Sequence, residues 1–311
     1  MLAWLPYASV EEASDRLGGI PEGVEVQCLV DGAGPTPDSI GEVEFLVLPY
    51  LSGGKALTRV EEMTSLQVVQ SLSAGYDDII GRIPSGVSLC NAAGLHDTST
   101  AEMALALMLS IGRHLDDAAR NQVSGTWQSA RGHSIADKHV LIVGYGHIGQ
   151  AIERRLAGFE VASVTRVARR ARAGGPDQPL VHAIDELDDL LPAADVVVLI
   201  MPLTPDTDKM FDTRRLALMH DDALLVNVGR GKLVDTDALV AETGSGRLRA
   251  ALDVVDPEPL PADHPLWRCP GVLISPHTGG ASTAFPPRAD RLIAAQLGRW
   301  ARGEALENVV N

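Results

Sequence analysis

Cysteine, long apolar runs and positive charge are all scarce in this 311-residue chain. The cysteines are three, Cys28, Cys90 and Cys269, odd in number and widely spaced. That excludes a disulfide framework and suits reduced thiols in a cytoplasmic setting. No cysteine or histidine pair has ligand spacing, so no metal site is expected. The longest apolar candidate, Met103 to Ile111, falls well short of the ~20 residues a membrane helix needs, so no membrane association is expected. The opening MLAWLPYASVEEA lacks the basic, apolar and small-residue order of a signal peptide. Lysine and arginine number 26 against 41 aspartates and glutamates, for a net charge of −15, and the pI is near 4.9. Such a chain repels phosphate backbones, which argues against nucleic acid and anionic membrane surfaces as partners. Local basic runs remain available to small anions.

What is present reads as an α/β protein. Hydrophobic residues at 45% and charged residues at 22% are ordinary for a soluble globular chain, and this length favours two domains over one. Leu2 to Leu5, Val24 to Val30, Glu44 to Leu48, Leu66 to Leu72 and Val87 to Cys90 read as strands. Their near-continuous hydrophobicity suits burial on both faces, the habit of parallel sheets. Two strand ends, Pro49 to Gly54 and Ser73 to Tyr76, carry small residues that leave backbone N–H groups accessible to a carboxylate. The same composition suits a plain tight loop. Ser99 and Glu102 have capping-box spacing, and Met103, Leu107 and Ile111 continue a helix that reads as crossing between domains. His114 to Lys138 reads as a connecting loop with some helix and no assigned chemistry.

The strongest signal is His139 to Gly149, HVLIVGYGHIG. An apolar strand leads into Gly144-Tyr145-Gly146-His147-Ile148-Gly149, and a helical pattern to Leu156 follows. The first glycine permits the turn, the second lets backbone approach a pyrophosphate, and the third packs helix on strand. The phosphates then sit on the helix N-terminus, where N–H groups point at them. Val161 to Thr165 reads as the second strand. An NAD site carries Asp or Glu about 20 residues past the fingerprint's start. Here Thr165 and Arg166 stand there, followed by Arg169, Arg170 and Arg172, with no acidic residue before Asp177. Arginines suit a 2′-phosphate, which favours NADP(H) and leaves NAD(H) possible; a solvated basic loop is the alternative. On this reading Arg166→Asp moves preference toward NADH.

Four further strands each end in a suggestive loop: Ala194 to Met201 before Pro202-Leu203-Thr204-Pro205, Leu224 to Val228 before Gly229-Arg230-Gly231, Arg249 to Val255 before Asp256-Pro257-Glu258-Pro259, and Val272 to Ser275 before Pro276-His277-Thr278-Gly279-Gly280. Ligands bind outside the carboxyl ends of parallel strands, so Arg230, Glu258 and His277 can converge. Reducing a 2-oxo acid requires a held carboxylate, a polarised carbonyl and a delivered proton. The planar fork of Arg230 suits the first two, and His277 is the natural acid. Glu258 favours its protonated form and orients it. Each has a structural reading taken alone, as a salt bridge, a satisfied histidine or a surface acid. His96, His133 and His220 lack such company and read as structural.

With these residues in view, the chain resembles the D-isomer-specific 2-hydroxyacid dehydrogenases, glyoxylate/hydroxypyruvate reductases included, over nearly its whole length. The most specific segments are Val143 to Gly149, Met201 to Thr207, Asn227 to Asp235, Ala251 to Leu260 and Ser275 to Gly280. Asn91 to Gly94 and Ser73 to Gly75 add weaker support. The resemblance implies catalytic roles for Arg230, Glu258 and His277 and a substrate-carboxylate loop at Ser73, Ala74 and Gly75. Tyr50, Leu51, Leu72 and Trp267 are candidates to shape the side-chain pocket. The resemblance implies cofactor contacts at Gly146, His147, Ile148, Pro202, Thr207, Val228 and Asp253. Gly144 and Gly149 join them from the fingerprint, Arg166 and Arg169 from the 2′-phosphate argument, and Gly229 and Gly279 from the loops of Arg230 and His277. The resemblance also implies two Rossmann-like or flavodoxin-like domains with doubly wound parallel sheets. A cofactor domain at 96–282 is then inserted into a substrate domain of 1–95 plus 283–311, with a final helix, about Pro287 to Arg302, crossing back. A cleft that closes on substrate and a homodimer are further implications.

The departures refine the expectation. Formate dehydrogenases of the family carry glutamine where this chain has Glu258. The sequence stops soon after the last helix, with no regulatory domain like that of longer phosphoglycerate dehydrogenases. His147 stands where arginine is frequent, a weaker cationic contact for the pyrophosphate. The leading expectation is an NADP(H)-preferring reductase of small 2-oxo acids. The alternatives are a phosphoglycerate or other D-hydroxyacid dehydrogenase using NAD, and a nicotinamide-sensing corepressor-like protein that acts by binding.

Overall fold

The computed structural model describes residues 1–29, 37–50, 52–176 and 178–311. Val30, Leu51 and Asp177, read above as a strand end, a pocket residue and the first acid after the arginines, lie outside the described residues. The chain divides into two compact units, Met1–His96 with Thr283–Asn311, and Asp97–Ser282.

In the first unit β1 (Leu2–Leu5) leads to α1 (Val10–Leu17), followed by β2 (Glu25–Cys28), β3 (Phe45–Val47), β4 (Val68–Gln70) and β5 (Ser88–Cys90). Helix α1 starts where the Ser9 hydroxyl accepts from the Glu12 N–H, and it stops at Gly18, whose φ of 74° is left-handed. The sheet is parallel in the order β2-β1-β3-β4-β5, a flavodoxin-like winding. Successive side chains of a strand point to opposite faces. Accordingly Ala3, Leu5, Phe45, Val47 and Val68 join one core cluster, while Leu2, Trp4, Leu46 and Val69 join another. This is why the strands read as unbroken apolar runs.

The second unit holds α2 (Asp97–Gly112), α3 (Leu115–Ser124), β6 (His139–Val143), α4 (His147–Leu156), β7 (Ser163–Ala168), β8 (His182–Ala183), α5 (Leu187–Leu190), β9 (Val196–Leu199), α6 (Thr213–Leu218), β10 (Leu224–Asn227), α7 (Thr236–Gly244), β11 (Arg249–Leu252) and β12 (Val272–Ile274). The closing helix α8 (Phe285–Ala301) returns to the first unit, where Ala289, Ile293 and Leu297 are buried with β1 and β3. The seven-stranded sheet runs β12-β11-β10-β9-β6-β7-β8 and its winding reverses between β6 and β9. A crevice at the carboxyl ends of strands opens at such a reversal, and the fingerprint loop follows β6 directly. Leu141, Val143, Val197, Leu199 and Leu225 fill one face of this sheet, and Val140, Ile142, Val196, Val198 and Val226 fill the other with Ala104, Met108 and Ile111 of α2.

Two sequence expectations shift. Helix α2 starts at Asp97 rather than near Ser99, and it lies wholly within the second unit. Ser99 is therefore inside the first turn, buried, and its hydroxyl pairs with that of Ser282 at 2.6 Å instead of capping the helix. Strand β7 runs Ser163–Ala168 rather than Val161 to Thr165, because pairing with β6 carries on to Val143 opposite Val167 after the apolar run has ended. Among the described residues no helix is long and apolar enough to cross a membrane.

Candidate active site

The fingerprint glycines divide their work as chain geometry requires. Gly144 has φ +112°, and a Cβ there would overlap the Ile200 carbonyl; a Cβ on Gly149 would overlap the Gly144 carbonyl. Both glycines are therefore required by the protein's own packing. Gly146 is different, since a Cβ built on it meets no protein atom within 4 Å. Open space above that backbone, at the N-cap of α4, is what a pyrophosphate needs. His147 opens α4, largely exposed, with Nδ1 3.5 Å from Asp97. Ile148 packs on the core beneath. The loop after β9 is stitched by Thr207, whose Oγ1 donates to the Pro202 carbonyl at 2.9 Å and accepts from the Thr204 N–H at 2.8 Å. Val228 is buried at the end of β10, and Gly229 lies against Leu233 and Met201 with little room for a Cβ.

At the second strand the structure gives Arg166 a partner that the sequence reading lacked. It lies within β7, and its Nε donates to Glu153 Oε2 at 2.8 Å while Nη2 pairs with Glu153 Oε1. The Glu153 hydrogen bond also holds the guanidinium's pKa above its ordinary value. Tyr145, inside the fingerprint, donates its hydroxyl to the same carboxylate. Arg172 donates to the Tyr145 carbonyl at 2.6 Å and lies over the ring. Arg166 is thus paired with α4. Arg169 and Arg170, exposed just past β7, are the guanidinium groups that follow the strand end. Glu153 and Tyr145 went unremarked in the sequence; a carboxylate on the fingerprint helix facing an arginine on the neighbouring strand is visible only once the register of β6 and β7 is known.

The three residues read as chemical do come together in the second unit. Arg230 follows β10 in a turn pinned by Asn227, which is 1% exposed. Asn227 Oδ1 accepts from the Gly229 N–H at 3.1 Å and its Nδ2 donates to the Arg230 carbonyl at 2.9 Å. The only sequence signal for this role is a polar residue closing an apolar strand. His277, at φ +54°, sits after β12 in a loop tied to Asp253. The His277 N–H donates to the Asp253 carbonyl at 2.8 Å. The Asp253 carboxylate, in a residue 3% exposed, accepts from the Thr278 and Gly279 N–H groups at 2.9 and 2.8 Å. A Cβ on Gly279 would strike that carboxylate.

His277 Nδ1 lies 2.7 Å from Glu258 Oε2, and Glu258 Oε1 accepts from the Val255 N–H at 3.0 Å. The Glu258 hydrogen bond raises the imidazole above its usual pKa, overcoming burial and the opposing charge of Arg230. Burial acts to raise the Glu258 carboxyl, but the hydrogen bond and charge of His277, the Val255 amide and Arg230 together hold it below the ordinary range. A protonated histidine with Nδ1 committed to a carboxylate has Nε2 for a substrate oxygen.

In the first unit, Ser73 to Gly75 follows β4. Ser73 N–H donates to Ser71 Oγ at 3.1 Å, and buried Asn91 holds the Ala74 carbonyl through Nδ2 at 2.8 Å. The amides of Ala74 and Gly75 meet no acceptor among the described residues. Ser73 and Gly75 line a cavity of about 30 Å³ with Ser52, Ser71 and Asp78. Tyr50 is stacked on Phe285 with centroids 4.1 Å apart, and buried His96 stacks on the same pair with Nε2 2.7 Å from the Leu72 carbonyl. Trp267, half exposed in the second unit, donates to the Pro261 carbonyl at 2.8 Å.

A doubly wound unit with a glycine fingerprint at its switch point, and a histidine with a carboxylate partner near an arginine, suit a dinucleotide-dependent oxidoreductase. Residues 105–279 match the model of the NAD-binding domain of D-isomer specific 2-hydroxyacid dehydrogenases. Glyoxylate reductase of Pyrococcus horikoshii is 34% identical over 263 residues, which cover 81% of this chain and 78% of that one. The D-isomer specific 2-hydroxyacid dehydrogenase of Xanthobacter autotrophicus, solved with NADPH and MES, superposes at a TM-score of 0.81 with 26% identity, covering 100% of this chain and 97% of the other. The NADPH-dependent glyoxylate/hydroxypyruvate reductase of Sinorhizobium meliloti, solved with NADP and malonate, gives 0.80 with 25% identity over 99% and 96%. The chain belongs to the D-isomer specific 2-hydroxyacid dehydrogenase family. It is an NAD(P)-dependent oxidoreductase acting on 2-hydroxy acids.

Proposed function

We propose that the protein is an NADPH-preferring reductase of small 2-oxo acids, of the glyoxylate or hydroxypyruvate type, that forms the D-hydroxy acid. The observation that carries the chemistry is the 2.7 Å pairing of His277 with Glu258 beside Arg230. Gly144 to Gly149 with the N-terminus of α4 would hold the pyrophosphate, and Pro202, Thr207, Val228, Gly229, Asp253 and Gly279 would border the rest of the cofactor. The reduced nicotinamide supplies the hydride when bound. Arg230 engages the substrate's carboxylate and carbonyl oxygens with its planar fork and polarises the carbonyl. His277 gives its Nε2 proton to that oxygen as the C–H bond forms at carbon, so two electrons and two hydrogens are accounted for. Glu258 then holds the neutral imidazole in one tautomer until it is reprotonated from water. In the unit of residues 1–96 and 283–311, Ser73, Ala74 and Gly75 form the carboxylate loop, with Tyr50 at its pocket.

The preference for NADPH rests on Arg169 and Arg170, exposed past β7 with no carboxylate between them and the strand. Cytoplasmic location is proposed from the three unpaired cysteines. Incubating the protein with NADPH or NADH and a panel of 2-oxo acids that includes glyoxylate, hydroxypyruvate and 3-phosphohydroxypyruvate tests the whole proposal. Oxidation of NADPH with the smallest acids is expected. Turnover confined to the phosphorylated acid with NADH would replace it with the phosphoglycerate reading.

A further inference from the structure

At the amino ends of the strands of the second unit, where β6, β9, β10 and β11 begin, lies a cavity of about 270 Å³. Its lining includes Lys138, Asp195, His133, His220, Asp222 and Arg249. Most of its charges are already matched. Lys138 Nζ is 2.8 Å from Asp195, which also accepts from the His139 N–H at 2.8 Å. Asp221, at the rim, lies 3.7 Å from Arg247.

Arg249 is the exception. Its Nε and Nη2 donate to the Asp222 backbone carbonyl at 3.2 and 2.7 Å, a neutral acceptor. Its Nη1 is buried and has no hydrogen-bond partner among the described residues. An unmatched donor on a cation is costly, and Arg249 lines the cavity with a backbone carbonyl as its only acceptor among the described residues. His133 faces the same guanidinium. Burial, then the charge of Arg249, keeps its imidazole below the usual pKa, with His114 and Lys138 adding to this and Asp222 opposing it. The segment carrying His133 is built against the end of α2: the His133 N–H donates to the Gly112 carbonyl at 2.7 Å. A Cβ on Gly112 would come within 2.9 Å of the His133 carbonyl. Both groups are thus held in place before any ligand arrives.

We propose that this cavity is a binding site for a small oxyanion, carboxylate or phosphate, held by the Arg249 guanidinium and by His133 in its protonated form. It lies at the strand ends opposite the fingerprint loop and is independent of the catalytic reading above. An anion there offsets the Arg249 charge that depresses His133, so binding takes up a proton and tightens as pH falls. Asp222, exposed at the mouth, and Asp195 disfavour large polyanions.

Isothermal titration of the full chain with inorganic phosphate and, separately, with malonate tests the site and tells a phosphate from a carboxylate ligand. Saturable binding of at least one is expected, with malonate severalfold tighter at pH 6 than at pH 8. Arg249→Gln and His133→Asn should each weaken it at least tenfold while NADPH affinity is unchanged. Absence of saturable binding would overturn the proposal, as would full affinity in both variants, which would move the anion to Arg230 or the pyrophosphate loop. Should Arg249→Gln fail to fold, His133→Asn and the imidazole resonances of His133 decide: the ligand must raise the pKa they report, and an unmoved value refutes the site.

Discussion

The hydrogen bond to Glu258 is the largest influence raising the pKa of the proposed acid. His277 is held above its ordinary pKa by Glu258, so it stays protonated, and competent to deliver a proton, to a higher pH than a free imidazole would. Reduction should therefore persist below that raised pKa and fall away as pH climbs through it. Glu258→Gln removes the charge that raises the value. The alkaline limb of kcat/KM for reduction should shift to lower pH, and a profile with an unmoved limb would deny Glu258 this part. His277→Asn should lower kcat by about 10²–10⁴ with NADPH affinity kept, as read by fluorescence titration; equal losses in both would indicate a folding role instead. Asn227 and Asp253 act one step further out, since they hold the backbone that carries Arg230 and His277.

Elements decide which residues stand at the end of the second strand of the second unit. Because β7 runs on to Ala168, its end presents Arg169 and Arg170 while Arg166 is turned onto Glu153 of α4. Replacing Arg169 and Arg170 by Ala should raise KM for NADPH about tenfold or more, from the loss of charge-assisted hydrogen bonds, and leave NADH little changed. Arg166→Ala should affect both cofactors alike, because it strands Glu153 and loosens the strand-helix pair. A selective loss of NADPH in Arg166→Ala would restore the role that its position in the sequence suggested. The turn after β10 is equally constrained. A Cβ on Gly231 would overlap the Val255 carbonyl, so the loops of β10 and β11 can approach only with glycine there. Gly231→Ala should cost about 3 kcal/mol or more, as backbone overlap in a packed site does, and this would be read as a lower urea midpoint.

At the scale of the molecule, two parallel sheets each bury both faces, and among the described residues the two most exposed large apolar side chains lie four residues apart. Val123 and Trp127 are 92% and 98% exposed, and Leu115 at the start of α3 is 54% exposed. Large exposed apolar groups so close in sequence are what an association surface would use, and the homodimer that the family resemblance implies can be tested there. Trp127→Asp should shift the sedimenting species from dimer to monomer; a wild-type protein that sediments as a monomer at micromolar concentration would remove the proposal.

The pattern of residues along the chain determined the α/β class, the two parallel sheets and the fingerprint's place between β6 and α4. These follow from periodicity and turn chemistry, which are local. It also singled out Arg230, Glu258 and His277, because loops after parallel strands share one edge whatever the details of packing. Only the tertiary structure decided what depends on partners far apart in sequence: that Arg166 pairs with Glu153, that Ser99 meets Ser282 instead of capping α2, and that Asn227 and Asp253 anchor the loops of Arg230 and His277. It also brought Arg249 and His133, unremarkable as letters, to one cavity. A side chain's partner is set by strand register and helix docking, and neither is written in the residues beside it.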